Sequence, residues 1–274
     1  MAYDGAGFHG FARQPGLRTV QCELESALRL VLRVPAQVRV RVAVAGRTDA
    51  GVHALEQVCH ADIPVQCLVG SAVDREAGAG GLPVVLRRLN GVLALDLRVR
   101  GLRVAPPGFD ARWSALWRRY SYSVADDPVA QDPRTRGHVL WHARPLDVAA
   151  MDASARGFLG EHDFAAYCRA REGASSVRTI HDIGWFGGQG APIQFRVRAD
   201  AFCHSMVRSL VGAFLAVGDG RWPEERPGQL LTRGVRGPWI ATAPAHGLTL
   251  VEVGYPADGD LAAQARRARR WRGR

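Results

Sequence analysis

Residues Gly46 to Ala54 read Gly-Arg-Thr-Asp-Ala-Gly-Val-His-Ala, placing a carboxylate two residues from a guanidinium and bounding both with glycines. Glycine permits a sharp backbone path, and a nearby guanidinium favours the charged form of a carboxylate. The pattern therefore suits the display of an ionised nucleophile at Asp49. It equally suits an ordinary turn in which Asp49 bonds its own backbone. Arg47 can hold a phosphate or pair locally. Tyr120 and Tyr122 stand at strand spacing, where an aromatic pair is usually core but can also stack on a planar ligand. Arg208 lies one position off the Val207/Val211 stripe of an apolar helix, a place where a surface arginine is the commoner outcome.

Composition removes many alternatives. The chain of 274 residues contains no lysine, so all 36 basic residues are arginine. P-loop, Schiff-base and kinase-type chemistries are thereby excluded. The His-x-Glu and Pro-Cys-x-x-Cys signature of zinc deaminases is absent, which excludes base deamination. Cys59-His60 and Cys203-His204 are poor metal ligands, because strand neighbours point to opposite faces. No metal and no cofactor is expected. The five cysteines, Cys22, Cys59, Cys67, Cys168 and Cys203, show no Cys-x-x-Cys spacing and are expected as free thiols. No apolar run reaches the roughly 20 residues of a membrane span, and no signal segment opens the chain. A cytoplasmic protein is expected.

The formal charge of +10 points to a polyanionic partner, with six arginines among the last nine residues. Residues 263–274 are expected to form a disordered basic tail.

The elements that must position these residues occur twice in the same order. Valine recurs at alternate positions through Gln37–Ala45, predicting a half-buried strand that leads into the Asp49 turn. Around it the pattern predicts a strand at Ala2–Asp4, a helix over Val20–Arg33 capped by Thr19, a strand near Leu55–Asp62, a helix over Pro83–Val92 and a strand near Asp96–Val104. The second series is a strand at Trp117–Ala125, a helix from Asp147 to Leu159, strands at Val177–Phe186 and Ile193–Ala201, a helix at Ser205–Val217 and a strand at Leu248–Val253. Each series is β-α-β-β-α-β. The expected fold class is α+β, with two ferredoxin-like (split β-α-β) halves, 1–105 and 106–262, whose antiparallel sheets flank a central RNA-binding cleft.

The Arg47-Thr48-Asp49-Ala50-Gly51-Val52-His53 run resembles the catalytic motif of the tRNA pseudouridine synthase A (TruA) family. Tyr3-Asp4-Gly5 with Phe8-His9-Gly10, Phe109–Arg112 with Arg118–Tyr122, Phe202–Arg208 and Ala243–Leu248 are similar to four further family motifs, so the resemblance spans most of the chain. It implies a cofactor-free isomerase that converts uridine to pseudouridine at positions 38, 39 and 40 of the tRNA anticodon stem-loop, acting as a homodimer. It also implies Asp49 as nucleophile, Arg208 as its charge partner, Tyr120 against the flipped base, Arg47 on the substrate and Leu248 as an apolar wall. Phe11, Ser205 and Ser209 depart from the usual tryptophan, histidine and asparagine. Only two residues precede Tyr3, so either the start codon is misassigned or the first strand is shortened. Two rivals remain: a non-catalytic RNA-binding module, and an Asp-dependent hydrolase of a small substrate.

Overall fold

The computed structural model describes residues 1–68, 81–169, 173 and 175–272, a mixed α/β chain whose sheets are mostly antiparallel. It divides into two units, Met1–Ala115 with Tyr255–Trp271, and Leu116–Gly254.

In the first unit, strand β1 (Ala2–Tyr3) is followed by helix α1 (Val20–Val31), strands β2 (Val42–Val44), β3 (His53–Ala54) and β4 (Cys59–Ala61), a turn of helix α2 (Val65–Leu68), helix α3 (Gly81–Val92) and strand β5 (Leu97–Arg98). Thr19 starts α1 because its Oγ1 accepts the Cys22 N–H at 3.3 Å, satisfying one of the helix's orphan donors. Val20, Leu24 and Leu28 face inward, as do Val85 and Leu89 of α3. Strand order is β5-β1-β3, all antiparallel, with Tyr3 opposite both Leu97 and Ala54. A separate antiparallel ribbon pairs β2 with β4, Val42 facing Ala61.

Three strands are shorter than their patterns predict. The valine alternation yields regular pairing only over Val42–Val44, although alternate burial persists back through Val40. Upstream, the Arg29 guanidinium takes the carbonyls of Pro35, Ala36 and Val38, so the Val38 carbonyl bonds a side chain instead of a ladder. The expected Leu55–Asp62 strand is confined to Cys59–Ala61, because Gln57 breaks its first half, its amide donating to Gly46 O at 2.8 Å and accepting from Val58 N. The last strand is confined to Leu97–Arg98.

The second unit contains strand β6 (Trp117–Ala125), strand β7 (Leu140–Trp141), helix α4 (Val148–Arg156), strands β8 (Gly160–Asp163), β9 (Val177–Phe186) and β10 (Ile193–Ala199), helices α5 (Met206–Gly218) and α6 (Arg226–Arg233), and strand β11 (Leu248–Gly254). The order β11-β6-β10-β9-β8 is antiparallel throughout, while β7 runs parallel to β6. Register stacks Tyr122 on Phe195 and Phe195 on Trp185. Phe214 of α5 closes this row, 5.8 Å from the Phe195 ring and 5.3 Å from Phe158. Neither the polar Gly160–Asp163, which lacks alternation, nor α6, whose Pro227/Leu230/Leu231 stripe spans only eight residues, is anticipated.

Helix α7 (Leu261–Arg272) belongs to the first unit. This corrects the expected disordered tail over 263–274: the segment is helical as far as it is described, with Leu261 and Ala265 buried. No described helix is long and apolar enough to cross a membrane.

Candidate active site

The Gly46–Ala54 loop is built into the first unit by contacts that bracket Asp49. Thr48 is buried, and its hydroxyl meets the Tyr3 phenol at 2.8 Å. Gln57 Nε2 donates to Tyr3 Oη at 3.2 Å as well as to Gly46 O, tying both ends of the Arg47–Thr48 stretch to the sheet. Backbone bonds complete the frame. Phe11 N donates to Thr48 O at 3.1 Å, Gly51 N to Phe8 O at 3.3 Å, and Val52 N to Asp49 O at 3.2 Å. His53 is buried and its Nδ1 accepts the Gly5 N–H at 2.9 Å, which makes it part of the loop's support. Gly5 cannot carry a side chain, since a Cβ there would lie 2.2 Å from Val52 O. Asp49 itself is half-buried and Arg47 is exposed. The loop backbone and Thr48 are fixed by these bonds, so the loop presents a carboxylate on a pre-set backbone.

In the second unit, β6 carries Tyr120 and Tyr122 on one buried face. The Tyr120 ring meets Phe202 edge-on, centroids 5.1 Å apart at 88°. Tyr122 is fully buried and donates its hydroxyl to Pro244 O at 2.9 Å. Burial pushes the Tyr122 phenol above its ordinary value, against the opposing pull of the Arg208 charge. Leu248 is buried opposite Tyr122, while Leu250 is the residue opposite Tyr120.

Arg208 is not the solvent-facing arginine that sequence statistics favour. Every other residue of α5 is buried, and Arg208 is half-buried with its Nε donating to Ala243 O at 2.7 Å. Ala243 N returns a bond to Arg208 O at 3.0 Å. Gly212 makes this approach feasible, because a Cβ there would lie 2.0 Å from Ala241 O. Arg236 braces the same segment, donating to Ser209 Oγ at 3.0 Å and to Thr242 Oγ1 at 3.1 Å. Burial holds the Arg236 guanidinium below its usual value, with the Arg169 charge acting in the same sense.

Tyr3, Gln57, Ser209 and Arg236 were not assigned these roles from sequence. Tyr3 stood in a motif without a stated function, and a lone amide or arginine has no spacing that announces a partner 27 to 54 residues away. The cysteine expectation also needs correction at two positions: Cys168 and Cys203 are disulfide-bonded with Cα atoms 5.8 Å apart, while Cys22, Cys59 and Cys67 are free. A separation of 35 residues with no motif between gave no signal for that pairing. His60 Nδ1 accepts the Ala111 N–H at 3.0 Å, a structural role.

Comparison with known proteins matches residues 154–256 to the family model for tRNA pseudouridine synthase. The chain is 54% identical over 265 residues to the tRNA pseudouridine synthase A of Frankia casuarinae, covering 97% of this chain and 91% of that protein. It is 51% identical to the enzyme of that name from Streptomyces griseus and 50% to that from Streptomyces avermitilis, each over 98% of this chain and 91% of the relative.

Proposed function

This chain belongs to the tRNA pseudouridine synthase A family, and from that premise we propose that it acts on the anticodon stem-loop of tRNA, at positions 38, 39 and 40, through the Asp49 carboxylate. It is an isomerase of tRNA uridine. The reaction breaks the N1–C1′ bond, turns the uracil and joins C5 to C1′; C5 loses its proton and N1 gains one, so no net atom is gained or lost. The target base must first leave its stack, at a cost of a few kcal/mol, because its reacting atoms are unreachable in a paired stem.

The observation that carries the assignment of Asp49 is its backbone. Bonds from Phe11 N, Gly51 N and Val52 N immobilise Thr48–Gly51, while Thr48 and Gln57 lock the approach. A carboxylate set in this way loses little freedom on engaging a flipped nucleotide, either at C6 of the base or at the ribose. In this reading Arg47, exposed beside Asp49, engages the substrate. Tyr120 lies against the flipped base, Leu248 supplies an apolar wall, and Arg208 serves as the charge partner of Asp49. The protein acts as a homodimer in the cytoplasm.

The strand orders support two ferredoxin-like halves. In the second unit β11-β6-β10-β9 corresponds to the fourth, first, third and second strands of a β-α-β-β-α-β series. In the first unit, β5-β1-β3 and the β4–β2 ribbon follow the same order, with the third strand broken at Gln57.

The deciding experiment is single-turnover tritium release from tRNA carrying 5-³H-uridine at positions 38–40. Asp49→Asn is expected to release none above background while binding tRNA within about threefold of wild type, since phosphate contacts carry affinity. Release at the wild-type rate would remove Asp49 from the mechanism. Wild-type release from other tRNA positions, with none from 38–40, would move the target.

A further inference from the structure

The face of the valine-rich segment opposite its buried side is arginine, and it floors an open cleft of about 990 Å³ within the first unit. Val40 and Val42 point inward; Arg39 and Arg41, between and beside them, are exposed. Arg13, Arg29 and Arg47 line the same cleft, against Glu25 as its one acid. That acid is already consumed. Its Oε2 takes Arg13 at 2.8 Å, and its Oε1 takes Gln21 Nε2 at 2.8 Å and Val42 N at 3.0 Å. Arg39, Arg41 and Arg47 have no hydrogen bond or ion pair among the described residues.

The lining also says what kind of contact this cleft makes. It contains no aromatic ring, so it offers none of the aromatic platforms on which single-stranded bases stack. Its two amides are occupied as donors, Gln14 to His9 O at 2.6 Å and Gln21 to Glu25 and Val42 O, which leaves guanidiniums as the free donors of its lining. What remains is a set of guanidiniums, two of them on a backbone whose upstream turn Arg29 holds through three carbonyls. Guanidiniums fork onto phosphate oxygens and stay charged at any physiological pH.

We propose that this cleft is a sugar-phosphate track, in which Arg39 and Arg41 fix the register of the tRNA backbone beside the Asp49 loop without reading sequence. The proposal rests on tRNA being the substrate. Its contribution is electrostatic positioning, so it sets affinity and salt dependence and leaves the bond-breaking step unchanged.

The test is the double variant Arg39→Gln/Arg41→Gln, with Arg39→Lys/Arg41→Lys as a charge-keeping control and thermal melts to show that each folds. Filter binding of unmodified tRNA across a KCl series reads the number of phosphates engaged. Loss of two contacts makes the slope of log K against log salt shallower by about 1.4 to 1.8. The lysine pair is expected to keep most of the slope, and the tritium-release rate at saturating tRNA to stay within about twofold for both. An unchanged slope in a folded glutamine variant overturns the track. So does a variant that loses binding of inorganic tripolyphosphate but keeps that of tRNA, because the cleft would then be a small-anion site. Failure of the functional reading shows separately, as wild-type protein that binds tRNA with the full slope yet releases no tritium.

Discussion

Arg208 turns from a statistical surface residue into a fixed one because α5 is buried on all sides except at that position, and its Nε is committed to Ala243 O. A guanidinium so held can serve a carboxylate partner only through its remaining N–H groups, with little side-chain entropy left to lose. If Arg208 pairs with Asp49 as proposed, removing one member of that desolvated pair costs about 3 to 5 kcal/mol, so Arg208→Ala should slow tritium release by roughly two to four orders of magnitude with tRNA affinity nearly kept. Arg208→Lys should rescue little, since an ammonium cannot reproduce the Nε bond and the fork together. Coupling to Asp49 is checked by a double-mutant cycle on unfolding free energy, Asp49→Asn against Arg208→Ala: a direct pair gives a coupling energy of about 0.5 kcal/mol or more, and additive effects would separate the two. The residues proposed to carry the chemistry were visible in sequence because Arg47-Thr48-Asp49 is a contiguous run. Their supports were not. Gln57 reaches Gly46 across 11 residues and Arg236 reaches Ser209 across 27, and long-range polar contacts of this kind leave no local pattern.

Strands with a partner along their whole length announced themselves, and broken ones did not. β6 and β9 occupy the residues their alternation predicts, Trp117–Ala125 and Val177–Phe186, because β6 pairs with β10 and β11, and β9 with β10 and β8. In the first unit side chains interrupt the ladders, so alternation overstates strand length. One such interaction gives a pH signature. Arg18 donates to both oxygens of Asp96 at 2.6 and 2.9 Å, joining the approach to α1 with the turn before β5. The Arg18 hydrogen bond holds the Asp96 carboxyl below the usual carboxylate range, outweighing the opposing effect of burial. A depressed carboxylate adds stability that is fully present above the ordinary value near 3.9 and is lost as pH falls through the folded value. Side-chain exposure near a third means solvent screens the pair, so Asp96→Asn should cost no more than about 1 kcal/mol at pH 7. Urea midpoints should show that gap closing below pH 4. A gap that persists at pH 3 would assign the loss to packing. Gly212→Ala is the harsher change. Its Cβ would meet Ala241 O at 2.0 Å, so α5 and the 241–243 segment must part. Overpacking costs of about 1 to 3 kcal/mol are expected, together with a slower chemical step, since the segment that moves carries Ala243.

The concentration of arginine at the C-terminus takes on a different meaning once α7 is docked instead of loose. The Ser114 hydroxyl donates to Leu261 O at 3.0 Å, and Arg269 donates to Asp110 at 2.7 Å. Burial alone would push the Asp110 carboxyl up. Its bonds from Trp113 N, Arg269 and Arg112 N outweigh that and hold it below the usual range. Cutting the chain at Arg266 would therefore remove a packed helical turn as well as charge, and any loss of tRNA affinity in such a truncation would be ambiguous. Substitutions that keep the helix separate the two effects. Arg266 and Arg267 are exposed, so Arg266→Gln/Arg267→Gln should leave the thermal midpoint almost unmoved while weakening tRNA binding at low salt. If both side chains contact phosphate, the deficit should shrink as KCl rises, because the charges act by releasing counterions. Arg269→Gln should do the reverse. It removes a partner of the Asp110 carboxylate, which is mostly buried, so the midpoint should fall by a few degrees, corresponding to roughly 1 kcal/mol in a chain of this size. Its effect on affinity should be small, since the charge is already spent on Asp110. Should the paired glutamine variant bind tRNA as wild type does at every salt concentration, the helix serves the first unit alone, and the polyanion signal in the net charge belongs to the arginines of the cleft.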